Sequence, residues 1–137
     1  MIETTSCDCV NLAYANGVHQ PGDRYRIALY TDEAELGRTT KKYTPEGEAV
    51  GKGYDAGGWP LLGRRAVLVD GVACVTFDDV RKKQCTLEAS GAMIYNASKN
   101  NAALVVLSFG SPYRATNGDF EINFPAPTPN AAVITIG

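Results

Sequence analysis

The side chains of this sequence that could carry out nucleophilic or acid–base chemistry form no recognisable catalytic pattern. His19 is the only histidine among the 137 residues, so a serine–histidine–aspartate triad would have to use it. It lies close to Pro21 in a stretch with weak periodicity, where a histidine is usually a solvated side chain. No serine sits in a Gly-x-Ser-x-Gly turn, and the sequence has no GxxxxGK(S/T) loop for nucleotide phosphates. We therefore expect a protein that is not an enzyme.

The four cysteines offer only a weak metal motif. Cys7 and Cys9 are separated by one residue, whereas Cys74 and Cys85 are isolated, and zinc ribbons need two closely spaced pairs. Adding His19 would still leave such a site without a fourth ligand. The N-terminus lacks the basic start and apolar run of a secretion signal, so we expect synthesis in the cytoplasm and reduced thiols. The sequence predicts no metal and no cofactor.

Two pairs of carboxylates could in principle do general acid–base work. Asp78 and Asp79 follow a strand-like run, and Asp119 and Glu121 would share one face of a later strand. Aspartates at strand ends more often cap turns, and acidic residues that alternate with apolar ones usually mark a solvated face. We expect neither pair to be catalytic.

The charge pattern argues against nucleic acid and membrane as partners. The net charge is −2, and the basic clusters Arg64-Arg65 and residues 81–83 have several acidic residues around them. No stretch approaches the roughly 20 apolar residues that a membrane-spanning helix needs. The basic clusters are more typical of a rim of ion pairs against an acidic protein partner.

The elements that would position these side chains are predicted to be short strands. Residues 24–31 alternate between apolar and polar types, and Asp70-Gly71 between two β-branched runs is a strong hairpin signal. The other predicted strands share β-branched or aromatic residues and end at separators rich in Asn, Gly, Ser or Pro. They are residues 87–96, 102–109, 119–124 and 131–136, with separators at 98–101, 110–112, 117–118 and 125–130.

Short strands without long amphipathic helices between them favour an all-β fold, an antiparallel β-sandwich or jelly roll. We expect one such domain over residues 23–137, preceded by an irregular N-terminal arm or edge segment over residues 1–22. Residues 24–31 and 131–136 are the candidate sheet edges, where a partner strand could pair.

Residues 43–62, called the glycine segment below, are the strongest candidate for a binding surface. Glycines let a backbone approach another chain closely, and tyrosine and tryptophan are frequent at interface hot spots. An alternative interpretation is that the rings close one end of the core. The predicted interface residues, in the segment and just after it, are Tyr43, Tyr54, Gly57, Gly58, Trp59, Arg64 and Arg65.

Five stretches of the sequence resemble small structural proteins encoded in the head-gene region of tailed bacteriophages. Together they fall within residues 27–136, and the resemblance is closest to capsid decoration or cement proteins. The stretches are Ala-Leu-Tyr-Thr at 28–31, the tyrosine- and glycine-rich motif at 43–58, Phe-Asp-Asp-Val at 77–80, residues 91–96 and residues 117–125.

The resemblance implies a non-enzymatic virion protein with a jelly-roll body on the capsid surface. Its partners would be the major capsid protein and further copies of itself, most simply as a homodimer, and it would stabilise the shell. A head-fibre base or tail component fits the same pattern. A carbohydrate-binding module with Tyr54, Trp59 and Tyr113 exposed is a further alternative, and a cupin-like enzyme would need a histidine cluster.

Overall fold

Strands make up all of the regular structure in the described part of the protein. The computed structural model describes residues 3–6, 23–32, 34, 36, 40–69, 72–122, 124 and 134–136. Within this described part there is no helix, and therefore none that could cross a membrane. Eight strands form in it: β1 Glu3–Ser6, β2 Tyr25–Tyr30, β3 Trp59–Pro60, β4 Arg65–Val69, β5 Val72–Thr76, β6 Val80–Asn96, β7 Ala102–Ile122 and β8 Ile134–Ile136.

The larger sheet has five strands in the order β1-β7-β6-β2-β3, and every pair is antiparallel. Its centre is the long hairpin of β6 and β7, which reverses direction through residues 97–101. Asn100 and Asn101 have φ angles of 53° and 58° there. Asparagine tolerates this left-handed conformation better than most residues, which is why the Asn-rich separator makes the turn.

The smaller sheet has three antiparallel strands in the order β4-β5-β8. Val69 pairs with Val72, so two residues connect β4 to β5, as the Asp-Gly hairpin signal predicts. The all-β, antiparallel prediction is thus confirmed, and the sandwich or jelly roll stays a prediction. Of the expected N-terminal arm, Glu3–Ser6 forms β1 beside β7, and the rest lies outside the described residues.

Two of the predicted strand breaks are wrong, because β7 runs through both of them. Ala89 lies opposite Tyr113 and Gly91 opposite Ser108, so residues 109–112 bulge out opposite the single residue Ser90. The second break contains Asn117, whose φ of 47° accompanies another register shift. Gly, Pro and Asn therefore bend a continuous strand here, and residues 119–122 of the predicted strand 119–124 are the last part of β7.

One predicted edge is also wrong. Residues 24–31 do not form an edge, because β2 lies between β6 and β3. The strand within 131–136 is an edge, since β8 pairs only with β5 among the described strands.

The main core lies between the β2, β6 and β7 strands and the glycine segment that crosses them. Ile27, Leu29 and Ile94 are fully buried there, with Leu104 and Phe120 from β7. A smaller apolar cluster contains Tyr30, Met93 and Tyr95. The core therefore depends on residues 43–62 as a cover.

Candidate protein-binding surface

The glycine segment continues the larger sheet along the edge of β2. The amide of Thr31 donates to the carbonyl of Gly47 at 2.8 Å, and the amide of Ala49 donates to the carbonyl of Leu29 at 2.8 Å. Further along, β3 pairs antiparallel with β2. An edge strand with unpaired backbone groups is a template for unwanted association, so this segment protects β2.

Gly58 is the position where the segment comes closest to the sheet. Its φ is +86°, and a Cβ atom built there would lie 1.9 Å from the carbonyl oxygen of Ile27. Neither the backbone conformation nor the space accepts a side chain, so glycine is required. The neighbouring Gly57 also has a positive φ, +94°, but a Cβ there would meet only the Tyr95 hydroxyl at 3.5 Å.

The carboxylate of Glu48 holds the segment together. It accepts hydrogen bonds from the Tyr43 hydroxyl at 2.6 Å, the Gly57 amide at 2.9 Å and the Tyr54 hydroxyl. Hydrogen bonds to a charged acceptor are about twice as strong as neutral ones. The side chain of Glu48 thereby connects the start of the segment, at Tyr43, to Tyr54 and Gly57 in its second half.

Burial and the charge of Glu48 act together on the surrounding tyrosines. Burial raises the pKa of Tyr54 and of Tyr43, and the hydrogen bonds that both donate to Glu48 raise each pKa further. The pKa of Tyr30 is raised by burial first and then by the nearby Glu48 charge. Burial also raises the pKa of Tyr95. The protonated form of these hydroxyls, which donates hydrogen bonds, is therefore favoured.

Strands β2 and β6 reach up to the segment through two further side chains. Arg26 of β2 donates from Nε to the Gly57 carbonyl at 3.3 Å, and its terminal nitrogen donates to the Gly58 carbonyl. The Tyr95 hydroxyl of β6 donates to the same Gly57 carbonyl. The two glycine carbonyls are thus satisfied from the sheet below, and the backbone at this point is fixed.

The rings of Tyr54 and Trp59 lie in the core, only 7% and 6% exposed. They meet edge to face, with centroids 5.4 Å apart, and Trp59 also contacts Phe120. The Trp59 Nε1 donates to the Gly53 carbonyl at 3.2 Å. This burial agrees with the alternative interpretation, that the rings close one end of the core.

The other predicted interface residues are more accessible. Tyr43 is half-buried and lies on the Tyr95 ring at a centroid distance of 4.9 Å. Arg64 is also half-buried, and its guanidinium carbon lies 5.8 Å from the centroid of the Tyr25 ring. Arg65 begins β4, and its side chain lies outside the described part. Their predicted role at an interface stays a prediction.

Among the residues whose burial the structure describes, three large apolar side chains are exposed, and two of them belong to the glycine segment. Val50 is 91% exposed and Leu62 is 68% exposed, while Tyr113 of β7 is 46% exposed. Val50 follows Ala49, which is buried. Two residues after Val50, Lys52 forms two 3.0 Å backbone hydrogen bonds with Thr86 of β6. The segment therefore presents Val50 from a backbone fixed on both sides.

Several charged side chains of the β6–β7 hairpin form ion pairs between the two strands. Arg81 bonds to Asp119 at 2.8 Å and lies 3.7 Å from Glu121, and Arg114 bonds to Glu88. The solvated-face interpretation of Asp119 and Glu121 fits these pairs. Asp79 accepts the Phe124 amide at 2.8 Å, a contact with a residue 45 positions further along the chain and not the local turn cap that was expected.

The side chains considered for metal binding do not gather in the described part of the chain. Within it, no three His, Cys, Asp or Glu side chains lie together as a metal site would require. Cys85 is buried as a free thiol, while Cys7, Cys9 and His19 lie outside the described residues.

The residues most involved in this surface were only partly predicted. Glu48 and the exposed Val50 and Leu62 were missed, since Glu48 looks no different from Glu46 in the sequence. The spacing Gly-Glu-x-x-Gly-x-Gly-Tyr was the available signal. Comparison with protein-family models, with curated proteins and with solved structures gives no match to this chain.

Proposed function

We propose that the protein is a non-enzymatic structural component of a bacteriophage virion, a decoration or cement protein. It binds the outside of the head shell, bridges neighbouring major capsid subunits and self-associates as a homodimer or higher oligomer. Its two sheets form a sandwich of the jelly-roll type. The resemblance of residues 28–31, 43–58, 77–80, 91–96 and 117–125 to such proteins supplies the class of partner.

The observation that supports an adhesive role best is the exposure of Val50 on a rigid backbone. Binding costs less free energy when the contacting residues are already ordered, because little conformational entropy is lost. The Glu48 hydrogen bonds and the two Lys52–Thr86 hydrogen bonds hold the segment in place before any partner arrives. Burying one valine side chain contributes about 1.5–3 kcal/mol, so Val50 is suited to be an anchor.

Stabilisation of the shell follows from mass action. A protein that binds only the assembled shell stabilises it by RT ln(1 + [L]/Kd), which is about 2.7 kcal/mol at a hundredfold excess over Kd. Many copies act at once on one particle, each through an interface of ordinary size. No bond needs to be made or broken for this effect.

Add-back to shells that lack the protein tests the proposal. We expect wild-type protein to bind such shells saturably and at a fixed ratio to the major capsid protein. Val50→Asp places a charge at the proposed anchor and is expected to weaken binding by about tenfold or more.

Thr116→Asp is the matched control, because Thr116 is an exposed residue of β7 on the far side of β6 from the glycine segment. It should bind as the wild type does. Equal binding by Val50→Asp, with its fold intact by circular dichroism, would remove Val50 as the anchor. Absence of binding by the wild type would contradict the shell-binding function itself.

A further inference from the structure

The edges of the two sheets are protected to different degrees. In the larger sheet, β3 is two residues long and ends in Pro60, and the glycine segment occupies the rest of the β2 edge. At its other edge, β1 has four residues and begins with Glu3. Short length, proline and charge are the usual devices against edge-to-edge pairing. The edge of the smaller sheet at β4 is less protected: β4 has five residues, and after the charged Arg65 at its start it consists of Ala66, Val67, Leu68 and Val69, without proline or a further charge.

The register of the β4–β5 hairpin identifies which backbone groups β4 presents at that edge. In a hairpin with a two-residue connection, the flanking residues Val69 and Val72 form a hydrogen-bonded pair. Hydrogen-bonded and non-hydrogen-bonded pairs then alternate along an antiparallel ladder. The N–H and C=O groups of Ala66 and Leu68 therefore point away from β5, and among the described strands β4 has no other neighbour.

The opposite edge of the same sheet, at β8, presents fewer free backbone groups to a further strand. β8 has three residues, and Ile134 and Ile136 lie opposite Val75 and Ala73 of β5. The N–H and C=O groups of β5 that point away from β4 belong to Ala73 and Val75. The backbone groups of Ile134 and Ile136 therefore form the hydrogen bonds to β5. Only Thr135 then presents an N–H and a C=O to a further strand. A single residue cannot support a ladder, whereas the two of β4 can.

The β4 strand is complementary to itself in one antiparallel register. When Val67 lies opposite Val67 of a second copy, Ala66 lies opposite Leu68 and Leu68 opposite Ala66. All four outward groups of each strand are then paired, and Arg65 lies opposite Val69, so no like charges meet. This pairing is symmetric, so it closes as a dimer and cannot extend into a filament.

We propose that two copies of the chain join through their β4 strands, antiparallel and centred on Val67, into one continuous six-stranded sheet. This proposal rests on the self-association included in the proposed function, and it identifies β4 as the strand through which the two copies associate. The occupant of the β4 edge is a second copy because the chain itself supplies the full complement of backbone groups in one register.

Disulfide trapping tests the register. Val67 forms a non-hydrogen-bonded pair with its counterpart, and such residues have Cα atoms about 4.5 Å apart, within the range that a disulfide bridges. Cys74 lies opposite Val67 in the same chain, so the variant is Val67→Cys made in a Cys74→Ala background. Mild oxidation with oxidised glutathione should give a covalent dimer of twice the 14.6 kDa chain mass.

Leu68→Cys in the same background is the matched control. Leu68 is diagonal to its counterpart in this register, at about 7–8 Å, which is too far for an unstrained disulfide. Dimer cross-linked at residue 67 alone, located by peptide mass mapping, supports the proposal. Cross-linking at residue 68 instead, or at neither position, overturns it.

Proline substitution gives an independent readout by analytical ultracentrifugation. Leu68→Pro removes an outward N–H of β4 without removing a donor from the β4–β5 ladder, and it should raise the dimer dissociation constant about tenfold or more. Thr135→Pro removes the outward N–H of β8 and should leave the dimer unchanged.

The outcomes separate this inference from the wider function. A wild-type dimer that resists both Val67 trapping and Leu68→Pro overturns the β4 surface and leaves self-association standing. A wild-type monomer at all concentrations overturns the surface and the self-association together. Shell binding is measured separately by add-back and is decided by its own result.

Discussion

The hydroxyl oxygen of Tyr54 lies 2.9 Å from the backbone nitrogen of Leu29 and accepts its hydrogen bond. Leu29 is fully buried in β2, so its amide has no access to water. A side chain of the glycine segment thus takes the place that a neighbouring strand would have on this part of the sheet. The same hydroxyl donates to Glu48, which connects the sheet amide to the carboxylate.

Tyr54→Phe should therefore destabilise the fold more than a single lost hydroxyl usually does. The substitution leaves a buried amide without an acceptor, and such a group costs about 1–3 kcal/mol. Urea denaturation followed by tryptophan fluorescence measures the change in the free energy of unfolding. Tyr95→Phe is the matched control, because the Gly57 carbonyl keeps its hydrogen bond from Arg26. The control should lose less than Tyr54→Phe, and equal losses would contradict this account of Tyr54.

Glu48→Gln should loosen the glycine segment without unfolding the sheet. Glutamine has nearly the same shape, but it carries no charge and one carboxylate oxygen becomes an NH2 group, which cannot accept a hydrogen bond. Either Tyr43, or Tyr54 and Gly57 together, would then lose their acceptor. We expect faster amide exchange over residues 43–62 and a loss of about 1–3 kcal/mol. Glu46→Gln is the control, since Glu46 is exposed. Identical exchange in both variants would remove Glu48 as the residue that holds the segment.

The raised tyrosine pKa values predict a loss of stability at alkaline pH. Unfolded tyrosines ionise near pH 10, whereas burial keeps Tyr30, Tyr43, Tyr54 and Tyr95 protonated to higher pH in the folded chain. Above about pH 10 the folded state binds more protons than the unfolded state, so the free energy of unfolding falls as the pH rises. The stabilisation is fully present below pH 10.

Each such tyrosine can contribute a slope of up to about 1.4 kcal/mol per pH unit above pH 10. Denaturation at a series of pH values measures this slope, and absorbance near 295 nm follows the ionisation directly. Tyr43→Phe should make the slope shallower. A free energy of unfolding that stays level from pH 9 to pH 12 would show that these hydroxyls are not held as described.

Adjacent glycines give a test of how closely the segment approaches the sheet. Gly58→Ala should destabilise the protein severely, because the added Cβ would lie 1.9 Å from the Ile27 carbonyl oxygen and the backbone must shift. At Gly57 the φ angle is similarly unfavourable, but the added Cβ would meet only the Tyr95 hydroxyl, at an ordinary contact distance of 3.5 Å. Gly57→Ala should therefore cost only the conformational strain, about 1–2 kcal/mol. Thermal melts compare the two. If Gly57→Ala proves as damaging as Gly58→Ala, the close approach at Gly58 does not limit stability.

Trp59→Ala is expected to act on folding. The ring is buried against Tyr54 and Phe120, and removing a large buried ring costs about 3–5 kcal/mol. Chemical denaturation followed by circular dichroism measures the loss. A variant that folds with wild-type stability and fails only in assembly would return Trp59 to the surface role predicted from its residue type.

Local patterns predicted the strands better than the connections. Strand β2 and the Asp-Gly hairpin are each indicated by a pattern of a few residues, and both elements were predicted correctly. The alternation did not predict burial, because Ala28 and Tyr30 on the second face of β2 are buried as well as Ile27 and Leu29. The bulge at residues 109–112 was predicted as a break, because proline and glycine mark turns and bulges alike. Which one forms depends on whether the partner strand continues, and β6 does continue past Ser90.

The candidate binding surface was harder to predict, because residue type does not determine burial. Tyr54 and Trp59 are of residue types that are frequent at interfaces. Their polar atoms nevertheless form hydrogen bonds within the glycine segment, and their rings are buried in the core. Val50 became exposed because the backbone hydrogen bonds of Ala49 and Lys52 fix the residues on either side of it. These are contacts between residues far apart in the sequence, and no local pattern encodes them.

The most direct test of an adhesive role on a phage head is the heat resistance of shells with and without the protein. Shells that lack it are saturated with purified wild-type protein, and the temperature at which they break is measured by light scattering. The proposed adhesive role predicts that occupied shells break at a higher temperature than bare ones and that the difference scales with occupancy. Occupied and bare shells that break at the same temperature would contradict it.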